Sequence, residues 1–152
     1  YPLEMFANTT RDEMEDRARY CLKHVNLEEK SFKLPPSEIS GGMQKRVAIA
    51  RAIALQPKYL FCDEPNSGLD PKTSLIIDQL IHEITVEFDI TTIINSHDMN
   101  SVMEIGEKIF FINKGVKAWE GSKEDIFHVD NQDLNDFVFA SELYKKVKKA
   151  NS

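Results

Sequence analysis

Two adjacent acids, Asp63 and Glu64, carry the strongest chemical signal in the chain. They follow an apolar run, Tyr59-Leu60-Phe61-Cys62, and precede Pro65 and a polar turn ending at Asp70-Pro71. This order predicts a buried strand that delivers two carboxylates to its C-terminal tip, the edge where open α/β sheets bind ligands. Neighbouring carboxylates repel, so they require a cation, a shared proton or solvent. A divalent metal with phosphate and an activated water would satisfy both. A strand that simply ends in an acidic, solvated loop would also account for them.

Three further groups could join this chemistry. Ser40-Gly41-Gly42 leads into a helix-forming stretch, where exposed backbone N–H groups and a hydroxyl make an anion cradle; an ordinary helix entry has the same composition. His97 follows a second apolar run, Ile90 to Asn95. Parallel strands lie about 5 Å apart, so its tip can bring His97 to the edge that holds Asp63 and Glu64. Asp70 reads as a helix N-cap with Pro71 at the first helical position. His24, His82 and His128 fall on helices or in the tail and receive no role.

The elements that must position these groups follow from periodicity. Thr10-Arg11-Asp12-Glu13 has the form of a capping box, and Met14, Ala18, Cys21, Leu22 and Val25 repeat behind it at helical spacing. The charged residues around this stripe, Arg17 included, read as a solvated surface, and Asn26 as the stop. Residues 27–36 read as a loop. A helix is expected from Met43 to Leu55, ended by Pro57, and another from Lys72 to Phe88 with Ile76, Ile77, Leu80, Ile81, Ile84 and Phe88 on its apolar face. Ile90 to Asn95 is a second buried strand, Met99 to Ile105 a short helix, and Lys108 to Trp119 a hairpin broken at Gly121. A short helix after Ser122 and one around Phe137 to Val147 close the chain, with the Lys145, Lys146, Lys148, Lys149 cluster as a solvated helix end. Strand–helix–strand alternation implies a parallel sheet.

Bulk properties set the outer limits. With 152 residues, 41% apolar and 29% charged, the chain has one domain's worth of core. A net charge of −6 argues against a nucleic-acid binder held by phosphate contacts. No apolar run reaches membrane-spanning length. Cys21 and Cys62 lack metal-ligand spacing and read as small core residues of a reducing compartment. The chain opens on Tyr1, which is expected of a piece of a longer protein.

Ser40-Gly41-Gly42-Met43-Gln44-Lys45-Arg46, Tyr59 to Glu64, Ser67-Gly68-Leu69-Asp70 and Ser96-His97-Asp98 occur in this order. Together they resemble the signature loop, Walker B strand, D-loop and switch histidine of ATP-binding-cassette (ABC) ATPases. The resemblance implies an α/β fold: an incomplete P-loop NTPase (RecA-like) parallel sheet with flanking helices, plus part of the helical subdomain. Residues 1–45 would belong to that subdomain, 46–121 to the C-terminal half of the ATPase core and 122–152 to a helical tail. It implies ATP and Mg²⁺ as cofactors, with Asp63 holding the metal, Glu64 polarising the attacking water and His97 contacting the γ-phosphate. Ser40, Gly41 and Gly42 would bind the γ-phosphate of ATP held by the opposite subunit, and Asp70 would link the two sites. The implied partners are a second ATPase subunit and transmembrane permease subunits, placing the protein in the cytoplasm at the inner face of the cell membrane, with no nucleic acid bound.

Several departures refine this expectation. Met43 stands where most family members have Gln; with Pro2-Leu3 and Asp136-Phe137 it resembles the branch that energises phospholipid transport with MCE-domain partners. Asn66 replaces a usual Thr, a change expected to be tolerated in a loop. None of the six glycines is followed by Lys, so the phosphate loop is missing, as are the aromatic and glutamine loops. In family terms Tyr1 falls just after the glutamine loop. The chain alone is therefore expected to bind Mg-ATP very weakly and to expose a sheet edge and an apolar face. Chromosome-maintenance ATPases would show a long coiled coil before the signature, where this chain has a short helix and Pro35-Pro36. A ribosome-acting ATPase and a fragment without activity of its own are the other readings.

Overall fold

The computed structural model describes residues 3, 4 and 9–138. They divide into two compact units, one up to His97 and one from Asp98 onward.

In the first unit, helix α1 (Arg11–His24) opens with the full capping box: Thr10 accepts from the Glu13 N–H, and the Glu13 side chain takes the Thr10 N–H. It ends at Val25, and Asn26 turns away with φ 56°. The following loop contains two single 3₁₀ turns, Glu29–Ser31 and Pro36–Glu38. Helix α2 (Gly41–Ile53) is followed by β1 (Tyr59–Asp63), α3 (Pro71–Glu87) and β2 (Thr91–Asn95). The two strands pair in parallel, from Tyr59 opposite Thr91 to Asp63 opposite Asn95. Cys21, Val25, Ile49, Ala50, Ile53, Leu60, Ile77, Leu80, Ile81, Ile84 and Ile90 make one core under the sheet.

Three expectations are corrected here. The strands are buried on one face only: Leu60 is buried, but Tyr59 is 62% exposed, Phe61 72% and Ile93 52%. Tyr59, Phe61 and Ile93 share a face by the period of two, and among the described residues no layer covers it. The expected bare apolar face is thus present. On α3, Ile76 is exposed while Asp78 joins the buried stripe at 1% exposure. Arg17 is not a mere surface charge. Its guanidinium donates to the carbonyls of Ile53 and Ala54, both at 3.0 Å, and so satisfies the orphan acceptors at the C-terminus of α2.

The second unit contains α4 (Met99–Ile105), an antiparallel hairpin of β3 (Ile109–Asn113) and β4 (Val116–Gly121), a 3₁₀ turn (Asp125–His128) and α5 (Gln132–Val138). Ile126, Leu134 and Val138 form its core, with Met99, Met103, Ile109, Phe111 and Trp119 packed around them. Gly121 does not break the hairpin; it pairs with Ile109. A Cβ there would lie 2.4 Å from the Trp119 ring, so glycine leaves room for the indole. The helical pattern expected around Phe137 to Val147 meets α5 only at its start; residues 139–152, with the four lysines, lie outside the described residues.

Candidate functional site

Asp63 is the last residue of β1, and Glu64 follows it directly. The backbone reverses at Glu64, whose φ of 46° lies in the left-handed region. A non-glycine residue there costs about 1–3 kcal/mol and persists only where its surroundings hold it. Three bonds do so. The Glu64 N–H donates to the Asn95 carbonyl at 2.9 Å, and the Glu64 carbonyl accepts from the Ser67 N–H at 3.1 Å. That same carbonyl accepts from Lys45 Nζ at 3.2 Å, a contact between α2 and the acidic edge.

The turn aims the Glu64 side chain at His97. Glu64 Oε1 accepts from the His97 backbone N–H at 3.1 Å and lies 2.7 Å from Nδ1. An ionised carboxylate only accepts, which places the proton on Nδ1. The His97 side chain is 78% exposed and that of Glu64 32%. Beside them, Asn95 Nδ2 donates to Asp63 Oδ1 at 2.7 Å. Asp63, Glu64 and His97 therefore meet at one sheet edge, as expected from the two strand tips.

The remaining candidates form a second group. Ser40 caps α2 by accepting from the Met43 N–H at 3.3 Å. A Cβ on Gly41 would sit 3.5 Å from Leu69 Cδ2, and one on Gly42 only 2.7 Å from Thr73 Cγ2. Gly42 thus lets the start of α2 pack closely on the start of α3, whereas a Cβ at Gly41 would make only ordinary contact with Leu69. Asp70 caps α3 through the N–H groups of Lys72 and Thr73, both at 3.1 Å, and also accepts from the Thr73 hydroxyl. That hydroxyl, then the Thr73 N–H, holds the Asp70 carboxyl below its usual range.

Sequence reasoning missed one pair. Asn66, read as a tolerant loop residue, is buried and donates to buried Asp78 at 2.7 Å. The one available signal was Asp78 itself, an acid in phase with the apolar stripe of α3.

Mg²⁺ is held by one or two carboxylates together with waters and substrate phosphates. Asp63 is exposed at the strand tip and fits that role. Among the described residues no group of three acids, histidines or cysteines could hold a metal unaided.

The parallel β–α–β unit with its polar groups gathered at the C-terminal edge is α/β, and its likeness to a solved ATP-binding cassette sets the class: the P-loop NTPase fold. The solved ATP-binding cassette MJ0796, a dimer bound to ADP and Pi in a post-hydrolysis state, shares it with a TM-score of 0.66 and 36% identity over 78% of this chain and 50% of that one. The family model described as ABC transporter matches residues 2–67. A methionine import ATP-binding protein (MetN 1) of Bacillus thuringiensis is 38% identical over 127 residues, 84% of this chain and 37% of its own length. Its counterpart in Desulfitobacterium hafniense is 41% identical over the same share of each. That of Pseudomonas fluorescens is 35% identical over 93% of this chain and 42% of its length. The chain thus spans about two fifths of the curated relatives it matches. These relatives are named for methionine import and do not single out the phospholipid branch suggested by Met43.

Proposed function

We propose that the chain is the part of an ABC transporter's ATP-binding subunit that supplies the water-activating acid and the signature loop. The observation that carries this reading is Glu64: a strained backbone, held by three bonds, aims its carboxylate at His97 on the ligand-binding edge. Phosphoryl transfer needs little covalent help from the protein and much positioning and charge stabilisation. Glu64 would accept a hydrogen bond from the attacking water and orient it. His97 would fix the Glu64 carboxylate through Nδ1 and present Nε2 to the γ-phosphate. Asp63 would hold Mg²⁺, which supplies charge neutralisation on the phosphate oxygens when bound.

Ser40, Gly41 and Gly42 would serve ATP held by a second copy, in a head-to-tail dimer whose two sites are linked through Asp70. Their packing against Leu69 and Thr73 supports that link, because it joins the signature loop to the loop bearing Asp70. The phosphate loop, absent from these residues, must come from polypeptide outside them for ATP to bind. On this reading permease subunits hold the assembly at the cytoplasmic face of the membrane; no helix among the described residues is long and apolar enough to cross it. The 14-residue α1 and its short 3₁₀ turns disfavour a coiled-coil chromosome-maintenance ATPase.

The relatives' names favour methionine import over phospholipid transport, which rests on Met43, Pro2-Leu3 and Asp136-Phe137. Uptake of labelled methionine by cells carrying the assembled transporter, lost on disruption of this subunit, supports the first; unchanged uptake with altered phospholipid distribution supports the second. For the chemistry, Glu64→Gln in the assembled ATPase is expected to retain ATP binding and lower turnover by about 10²–10⁴-fold. Undiminished turnover removes Glu64 as the water-activating group.

A further inference from the structure

The loop between Glu64 and Asp70 is pinned at its middle by a buried polar pair. Asn66, 9% exposed, donates through Nδ2 to Oδ1 of Asp78, 1% exposed, at 2.7 Å. Asp78 stands in the apolar stripe of α3 beside Ile77, Leu80, Ile81 and Ile84. Core stability gives no reason for an acid there. Replacing a buried polar pair by apolar groups of similar size is often neutral or stabilising, whereas breaking one partner is costly. What the pair supplies is geometry. Through its backbone carbonyl Asn66 also accepts from the Leu69 N–H at 3.1 Å, while the Ser67 N–H reaches back to the Glu64 carbonyl. One side chain therefore fastens to α3 a loop whose first residues brace Glu64 and whose end is Asp70.

We infer that Asn66 and Asp78 are positioning residues for ATP hydrolysis, setting where the loop from Glu64 to Asp70 lies on α3. This rests on the proposed role of Glu64. The pair touches no substrate; it acts through the carboxylate and the loop it orients.

The test uses the assembled ATPase and reads melting temperature, kcat and KM for ATP. Asn66→Ala is expected to lower the melting temperature, because buried Asp78 loses its donor, and to lower kcat about a hundredfold, the cost of an ångström-scale misplacement. The double variant Asn66→Ala/Asp78→Leu removes both polar groups. It is expected to recover the melting temperature while kcat stays depressed and KM changes less than about threefold, the split expected of lost transition-state positioning. Asp78→Asn, which keeps an acceptor oxygen for Asn66, is expected to retain most of kcat. Recovery of kcat together with stability in the double variant overturns the inference and leaves the pair purely structural. Glu64→Gln is measured in parallel. If it alone leaves turnover intact, the role of Glu64 fails; if it abolishes turnover while the double variant is fully active, only the positioning role fails.

Discussion

Glu64 Oε1 accepts from both nitrogens that His97 can offer it, the backbone N–H at 3.1 Å and the ring Nδ1 at 2.7 Å. Both bonds fall on the same carboxylate oxygen and hold it in place at the sheet edge. The ring, held at one nitrogen, has only Nε2 to present to a ligand.

His97→Ala is accordingly expected to separate activity from stability. The side chain is 78% exposed, and surface substitutions of this kind change stability by about 0.5 kcal/mol or less. On the proposed assignment, turnover of the assembled ATPase should fall by about 10²-fold or more, because the acid would lose its brace and the γ-phosphate a contact. Thermal melts and steady-state ATPase assays on the same preparation measure both. Full activity, or a collapse of the fold, would contradict the assignment.

Gly42→Ala is expected to destabilise the first unit by about 1–3 kcal/mol, the usual cost of overpacking. The added methyl would lie 2.7 Å from Thr73 Cγ2, and Thr73 cannot swing away without giving up its hydroxyl bond to Asp70. Thr73→Ser removes that methyl and keeps the hydroxyl, so it should restore most of the loss. Urea denaturation of the parent, the single variant and the double variant decides the matter. If Thr73→Ser gives no recovery, the contact is not the cause.

The bare face of β1 and β2 predicts self-association of the chain on its own. Phe61, 72% exposed, is its most prominent side chain, and apolar patches of this kind seek cover. Phe61→Glu should shift sedimentation velocity profiles of the 152-residue chain toward the monomer. An unchanged distribution would mean that another surface drives association.

Much of this was legible because it is local. The Thr10/Glu13 box, the Asp70-Pro71 start and the two polar strand tips each lie within a few residues, and the structure places them as read. The meeting of the polar strand tips was readable for the same reason, since adjacent strand ends bring Asp63, Glu64 and His97 together. What escaped depends on distant partners. Arg17 caps a helix whose carbonyls lie 36 and 37 residues away. Burial of Phe61 depends on which neighbours cover the sheet. Asp78 stood in the apolar stripe of α3 in plain view, but only Asn66, 12 residues earlier, explains its presence.

The register of β1 on β2 has a further consequence, for the order in which the protein acquires its chemistry. Asp63 lies opposite Asn95 and is bonded to its side chain, and His97 follows two residues later. A slip of one residue would turn every side chain of a strand to the opposite face, parting Glu64 from a histidine 33 positions away in sequence. Closing that span costs chain entropy before any contact repays it. The acid–histidine pair therefore arises when the strands dock. During refolding, the Glu64–His97 contact would serve as an internal clock for sheet formation.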